Sequence, residues 1–240
     1  MRIRRRALIP VALAIVALAL FVAHPRSRSF LRSLLRTGSS PCLLLGPRGC
    51  QHADRVEVLA NGRVIAPMGN DDAKKPDGHG RILFQATGDT VFTFRITRNG
   101  ERLYEDPTFR FHVRPGDIFS GSLLVSDEKP TGYYGPPPKA SFPAVAEGVP
   151  ARVWCWFRRA DHLHEDRLQV TLKDNAALAA FKKRVWWRGY RIVKERHLNA
   201  GKTPMLHLVR PFDRTIVEAW LELERWEKVR TVNPEVKYVY

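Results

Sequence analysis

The feature that most constrains this 240-residue sequence is an uncharged apolar run near the N-terminus, residues 7–23. This segment reads ALIPVALAIVALALFVA, and arginines stand on both sides of it. As a helix it spans about 25 Å, near the lower limit for crossing a hydrocarbon core of about 30 Å. A run this apolar has no polar face, so a buried helix of a soluble domain explains it poorly. The segment predicts a single-pass transmembrane helix.

A cleaved signal peptide also combines basic residues with an apolar stretch. The sequence after the apolar segment is FVAHP, which places Phe21 at the −3 position and Pro25 just beyond the candidate bond. Both residues disfavour cleavage, so we expect an uncleaved signal-anchor. Four arginines lie on each side, and their number does not decide the orientation. The first four lie closer to the membrane, which favours a globular part outside the cytoplasm, as in a periplasmic protein.

The residues after the apolar segment have a second, amphipathic pattern. Phe30, Leu31, Leu34 and Leu35 recur at helical spacing, and arginines stand between them in steps of four. This pattern is typical of a helix that lies in the lipid headgroup plane. Packing on the globular part is the alternative. We assign residues 1–37 to a membrane anchor and a juxtamembrane amphipathic helix.

The net charge of +16 is unevenly distributed along the chain. Residues 1–36 contain eight arginines and no acid, and residues 150–240 contain nineteen basic and eleven acidic side chains. The part between them is nearly neutral. Arginines beside the apolar segment are expected to meet lipid headgroups.

Short strand-like segments dominate residues 51–128. Asn61-Gly62 and Asn99-Gly100 each separate two such segments, and Asn-Gly is the strongest short hairpin signal because both residues tolerate positive φ. Several strands at this spacing predict an antiparallel sandwich of immunoglobulin-like type. The fold class we expect for the chain is α+β with β-structure dominant.

Residues 129–150 contain six of the seventeen prolines and predict a linker or one long loop. Residues 151–240 mix strand patterns with a helix over 175–187, for which Asp174 is the expected cap. Residues 215–229 fit both a helix and a strand, and residues 236–240 predict a strand. We therefore expect a separate basic α+β domain over residues 151–240.

The strongest cluster for ligand binding is the segment 182–196, KKRVWWRGYRIVKER. Basic groups neutralise phosphates and other anions, and exposed aromatic rings stack on bases or lie at a lipid interface. The alternative is a helix that buries its tryptophans and solvates its lysines. Nucleic acid is a poor partner for a domain outside the cytoplasm. The residues predicted to bind an anion are Lys182, Lys183, Arg184, Trp187, Arg188 and Arg191.

A second cluster is Asp161-His162-Leu163-His164-Glu165-Asp166. Histidines two residues apart share one face of a strand, so His162 and His164 are candidate metal ligands, with His197 or His207 completing the site. The alternative is a polar turn, because no third ligand is placed by spacing. Apart from this metal hypothesis, the sequence indicates no cofactor.

Three cysteines bear on redox chemistry. Cys42 and Cys50 bracket a short loop and are candidates for a disulfide outside the cytoplasm, whereas Cys155 alternates with aromatic residues and is expected in a core.

The sequence contains none of the common hydrolase, metalloprotease, P-loop or dinucleotide motifs, and it indicates no catalytic residue. It favours a membrane-anchored envelope protein, with a binding or structural role towards a partner protein or an anionic polymer. Two alternatives stay open. One is an anchored metal-dependent enzyme that uses His162 and His164, and the other is a cytoplasm-facing binder of anionic lipid or nucleic acid.

Overall fold

The computed structural model describes residues 19, 21–36, 39–45, 55–69, 81–104, 108–125, 140–143, 152–198 and 203–237. Over these residues the fold is α+β with β-structure dominant and the sheets largely antiparallel, as the sequence predicted. The chain divides into a sandwich unit, Ser39–Asp161, and a basic unit, which combines Met1–Gly38 with His162–Tyr240. In the described part of the chain, no helix is long and apolar enough to cross a membrane. Thirteen of the seventeen residues of the predicted transmembrane segment, residues 7–23, lie outside that part.

The sandwich unit contains two sheets. In chain order its strands are β1 (Cys42–Leu45), β2 (Arg55–Ala60), β3 (Arg63–Gly69), β4 (Arg81–Phe84), β5 (Gly88–Arg98), β6 (Glu101–Tyr104), β7 (Thr108–Val113), β8 (Ile118–Val125), β9 (Ala140–Pro143) and β10 (Arg152–Arg159). The first sheet has the order β4-β1-β8-β10-β9, and among its described pairs only that of β1 with β8 is parallel. The second sheet has the order β3-β2-β5-β6, and β7 also pairs with β5.

Both predicted hairpins are confirmed. Asn61 and Gly62 have φ of 49° and 77° between β2 and β3, and Asn99 and Gly100 have φ of 52° and 82° between β5 and β6. Two central residues with positive φ give the turn a twist that matches the right-handed twist of the strands.

Aromatic side chains from both sheets fill one core. Phe92 on β5 lies 5.1 Å from both Phe119 on β8 and Phe157 on β10, measured between ring centroids. Cys42 and Cys155 belong to the same buried cluster and are fully buried. Because the two sheets share these residues, the unit is a β-sandwich, as predicted for its central part.

The elements of the basic unit are α1 (Pro25–Leu34), β11 (Leu163–Leu172), α2 (Leu178–Trp187), β12 (Arg191–Leu198), β13 (Thr203–Val209), α3 (Ile216–Glu224) and β14 (Val229–Val236). Its strands form one antiparallel sheet of order β12-β13-β11-β14, and α3 packs on β11 and β14. Its buried residues include Leu168, Val170, Phe181, Leu206 and Leu223.

The units differ from the domains expected from sequence at residues 129–161. Strand β9 lies within the Pro-rich segment and pairs with β10, which also pairs with β8. Strand β10 thus lies in the sandwich unit, whereas the sequence placed it in a domain over residues 151–240. Proline composition suggested a break at 150, but sheet pairing connects across it.

Local signals explain the helix ends of the basic unit. Thr215 and Glu218 form a capping box at the start of α3, which resolves the ambiguity over residues 215–229 in favour of a helix. Asp174 accepts a hydrogen bond from the Ala177 amide at 2.9 Å, so it caps the turn that leads into α2. The last described strand ends at Val236, and residues 238–240 of the strand predicted over 236–240 lie outside the described residues.

Candidate functional site

Helix α1 is held on the basic unit by its small and polar side. Ser29, only 3% exposed, accepts a hydrogen bond from the Phe212 amide at 3.2 Å. Arg26 Nη1 donates to the Gly189 carbonyl oxygen at 3.3 Å. After the helix, Arg36 donates to the Asp213 carbonyl oxygen at 2.9 Å and pairs with Glu218 at 2.5 Å. Polar contacts therefore fix the orientation of α1.

The apolar side of α1 remains largely open. Leu34, the last residue of the helix, and Leu35 directly after it are 67% and 80% exposed. Phe30 and Leu31 are 43% and 37% exposed, and the Phe30 ring meets the Phe212 ring edge to face at 5.8 Å between centroids. An amphipathic helix of a soluble domain normally turns these residues towards the core. Here the arrangement is reversed, with the serine side buried and the leucine side outward. Arg28 and Arg32, both exposed, flank the apolar stripe, as in helices that lie at a membrane interface.

Gly189 lets α1 approach α2 closely. Gly189 follows α2 in a left-handed conformation with φ +83°. Its amide donates to the Trp186 carbonyl oxygen, and the Tyr190 amide donates to the Val185 carbonyl oxygen. These two hydrogen bonds form a Schellman motif. A Cβ at Gly189 would lie 3.3 Å from the Pro25 carbonyl oxygen and 3.4 Å from Ser29 Cβ. Glycine is required here for both conformation and space.

A pocket of about 550 Å³ opens where the start of α1 meets α2 and β12, and we call it the basic pocket. Its chemistry is cationic and aromatic, without a carboxylate among the described residues that line it. Those residues are His24, Arg26, Lys182, Trp186, Tyr190, Arg191 and Ile192. The His24 and Trp186 rings meet edge to face at 5.9 Å between centroids. The arrangement suits an anion that carries an apolar or planar part.

Unbalanced positive charge surrounds Arg26. Burial lowers the pKa of Arg26, and the charges of Arg191 and Arg210 lower it further, against the opposing effect of Asp166. Lys182 is paired with Glu195 at 2.6 Å, so its charge is largely compensated. Among the described residues, no carboxylate forms an ion pair with Arg26 or Arg191. The excess charge of the pocket therefore belongs to these two arginines.

The six residues predicted to bind an anion do not form one surface. Lys182 and Arg191 line the basic pocket, and Trp187 lies beside it, 57% exposed and 4.8 Å from the Trp186 ring centroid. Arg184 stacks on the Trp226 ring at 4.3 Å, and Arg188 pairs with Glu222 at 3.6 Å. Lys183 is exposed and does not line the pocket. Helix geometry separates residues that are adjacent in sequence.

A second cavity of the basic unit carries balanced charge. Three arginines and three carboxylates line it, and they pair among themselves: Arg32 with Asp213 at 3.9 Å, Arg36 with Glu218, and Arg214 with Glu222. The Tyr190 hydroxyl donates to the same Glu222 at 2.7 Å, and burial raises the pKa of this tyrosine. The ion pairs balance the charge of this cavity, although the buried Asp213 Oδ1 accepts no hydrogen bond from a described residue. The network therefore holds α1 and α3 in place and does not call for an external anion.

The sequence did not predict the contribution of His24 and Arg26 to this pocket. They are about 160 residues away from Arg191 along the chain, and only the docking of α1 brings them together. The signal was the arginine-rich amphipathic pattern after the apolar segment, which indicates a surface helix but not its partner.

None of the candidate metal ligands is among the described residues that line the basic pocket. His162 is in the turn before β11 and His164 is on β11, while His197 contacts Glu195 and His207 contacts Glu235, each at 3.4 Å. No group of three or more His, Cys, Asp or Glu side chains in the described ranges is placed to hold a metal ion. The metal site at His162 and His164 therefore stays a hypothesis.

The cysteine chemistry is that of a core. Cys42 and Cys155 are free thiols, and burial raises the pKa of both, that of Cys155 to about 12. The Cys42 thiol donates weakly to the Arg114 carbonyl oxygen at 3.4 Å. Cys50 lies outside the described residues, and its disulfide with Cys42 stays a prediction.

Comparison with family models, with curated proteins and with solved structures gives no match for this chain.

Proposed function

We propose that this chain is a membrane-anchored binding or structural module of the cell envelope. The apolar segment, residues 7–23, makes a single pass, and the basic unit lies on the adjacent headgroup layer through α1. The sandwich unit is then available to a partner protein or an anionic polymer. Its immunoglobulin-like character, a common architecture of cell-surface binding domains, is part of the proposal and is supported by two sheets that share one core.

The observation that carries this proposal is the reversed orientation of α1. The helix begins at Pro25, two residues after the apolar segment ends, so a spanning segment would hold it at the membrane edge. In that position its exposed Phe30, Leu31, Leu34 and Leu35 enter the boundary between headgroups and acyl chains. Lipid then covers the apolar area that the protein itself leaves open.

Aromatic side chains near the start of α1 support the same orientation. Trp186 and Trp187 are 47% and 57% exposed, although tryptophans are usually well buried in soluble domains. Trp186 contacts His24, the residue directly after the apolar segment. Tryptophan is enriched at membrane interfaces because its indole combines an apolar body with one N–H donor.

The location outside the cytoplasm is supported by the first four arginines, which lie closer to the apolar segment than the four after it. The second candidate is a cytoplasm-facing binder of anionic lipid. It stays open because the basic pocket and α1 suit an anionic leaflet on either side of the membrane.

Two measurements on the full chain test the proposal. In the first, membranes from expressing cells are washed with alkaline carbonate, and the chain is compared with a variant that lacks residues 7–23. We expect the full chain to stay in the membrane and the variant to be released. In the second, C-terminal reporters that are active on only one side of the membrane locate the basic unit.

Release of the full chain by carbonate would overturn the anchor. A C-terminus inside the cytoplasm would overturn the envelope role and favour the second candidate.

A further inference from the structure

The basic pocket has the composition of a site for a phosphate group. The guanidinium groups of Arg26 and Arg191 have no ion-pair partner among the described residues, although the charge of Asp166 acts on Arg26 from outside the lining. Guanidinium binds phosphate oxygens with paired N–H donors. His24 adds an imidazole donor at the mouth. Because no described carboxylate lines the pocket, an incoming anion meets no like charge there.

The other lining residues indicate what the phosphate is attached to. Trp186 and Ile192 provide apolar surface, and the Tyr190 hydroxyl is already engaged by Glu222. A small inorganic anion would leave much of the 550 Å³ cavity unfilled. A phosphate that carries a glycerol or hydrocarbon portion uses both the charged and the apolar parts of the lining.

The place of the pocket in the chain narrows the ligand class further. His24 follows the apolar segment directly, and Arg26 lies in the first turn of α1. If the apolar segment spans the membrane, these two residues lie at headgroup depth. Phosphates at that depth belong to lipids.

We propose that the basic pocket binds the phosphate of an anionic lipid, with Arg26 and Arg191 on the phosphate oxygens and Trp186 against the glycerol region. This inference rests on the proposed membrane location. It goes further by naming a specific lipid site where the proposed function needs only general contact with a membrane.

The experiment uses the full chain in neutral detergent micelles and counts bound lipid by native mass spectrometry. The probes are dioctanoyl phosphatidylglycerol, the zwitterionic dioctanoyl phosphatidylcholine, and inorganic phosphate as a competitor. The main variant is Arg191→Gln, because this exposed side chain makes no hydrogen bond or ion pair with another described residue. Its matched control is Lys183→Gln, which removes the same charge from an exposed site outside the pocket.

We expect the phosphatidylglycerol to bind more tightly than the phosphatidylcholine. Loss of a charge-assisted hydrogen bond predicts that Arg191→Gln weakens this binding about tenfold or more, whereas Lys183→Gln changes it less than about twofold. Arg26→Gln should weaken it at least as much, although this variant also removes the contact between α1 and Gly189.

Equal weakening by Arg191→Gln and Lys183→Gln would overturn the site and leave only a diffuse charge effect. Displacement of the lipid by inorganic phosphate at an equal concentration would overturn the lipid assignment in favour of a soluble phosphate ligand. In micelles the added lipid reaches the pocket whether or not residues 7–23 span a bilayer. Absence of lipid binding here and release of the chain by carbonate are therefore separate results.

Discussion

Replacing Gly189 with alanine is predicted to release α1 from the basic unit. The added Cβ meets the Pro25 carbonyl oxygen at 3.3 Å and Ser29 Cβ at 3.4 Å, so one side must move by a few tenths of an ångström. Alanine in the left-handed conformation costs about 1–2 kcal/mol by itself. Crowding adds about 1 kcal/mol, the low end for overpacking, because α1 can shift away.

Gly100 provides a matched control for the backbone strain. It has φ +82°, against +83° at Gly189, and a Cβ there would have nothing within 4 Å. Gly100→Ala should therefore show the conformational cost without any effect on α1. The difference between the two variants isolates the contact between α1 and the end of α2.

The assay is limited trypsin digestion of the full chain in micelles, with cleavage after Arg28 and Arg32 followed by mass spectrometry. When opening and closing are fast, cleavage tracks the population of undocked helix. A cost of about 1 kcal/mol raises that population about fivefold. We expect this acceleration in Gly189→Ala and none in Gly100→Ala. Equal cleavage rates in both variants would refute the docking geometry of α1.

The remaining predictions concern the core of the sandwich unit and the start of α3. Phe157→Ala should lower the free energy of unfolding of the sandwich unit by about 3–5 kcal/mol in urea titration, and a loss below 1 kcal/mol would contradict the shared aromatic core. The buried Cys155 should resist iodoacetamide in the native chain at pH 8 and react after denaturation. Because burial raises the pKa of Cys155 from 9.0 to about 12, stability should fall as the pH rises above about 9. Thr215→Ala should cost about 1 kcal/mol in thermal unfolding, since it removes the capping box with Glu218, and an unchanged midpoint would refute that role.

Local signals predicted much of the fold. The Asn-Gly turns specify hairpins within a few residues, because positive φ at two positions is a strong and short-range constraint. The cap at Thr215 acts over a similar distance, although the apolar pattern of residues 215–229 fits both a helix and a strand. The parallel pairing of β1 with β8 could not be predicted in this way, since Leu43 and Ile118 meet only through the tertiary fold.

The sequence predicted the chemical character of the candidate site but not which of its residues lie together. The basic and aromatic character of residues 182–196 was visible, and it included Lys182 and Arg191. Which of those side chains share a surface depends on the helix end at Gly189 and on α1 packing there. The pattern of charge along the chain does not show that contact. It therefore also selects Arg184, which stacks on Trp226, and Arg188, which pairs with Glu222, as anion-binding residues.

The most direct test of the central claim is the depth of Trp186 and Trp187 in a bilayer. The full chain is reconstituted into bilayers with brominated acyl chains, which quench tryptophan fluorescence on close approach. Trp156, Trp220 and Trp226 are buried, and Trp154 on β10 is half-buried, so quenching that depends on the exposed pair is read from its loss in the double variant. The account predicts strong quenching that is largely lost in the Trp186→Phe/Trp187→Phe double variant. Equal quenching in the double variant, or none in the parent chain, would contradict a basic unit that lies on the membrane.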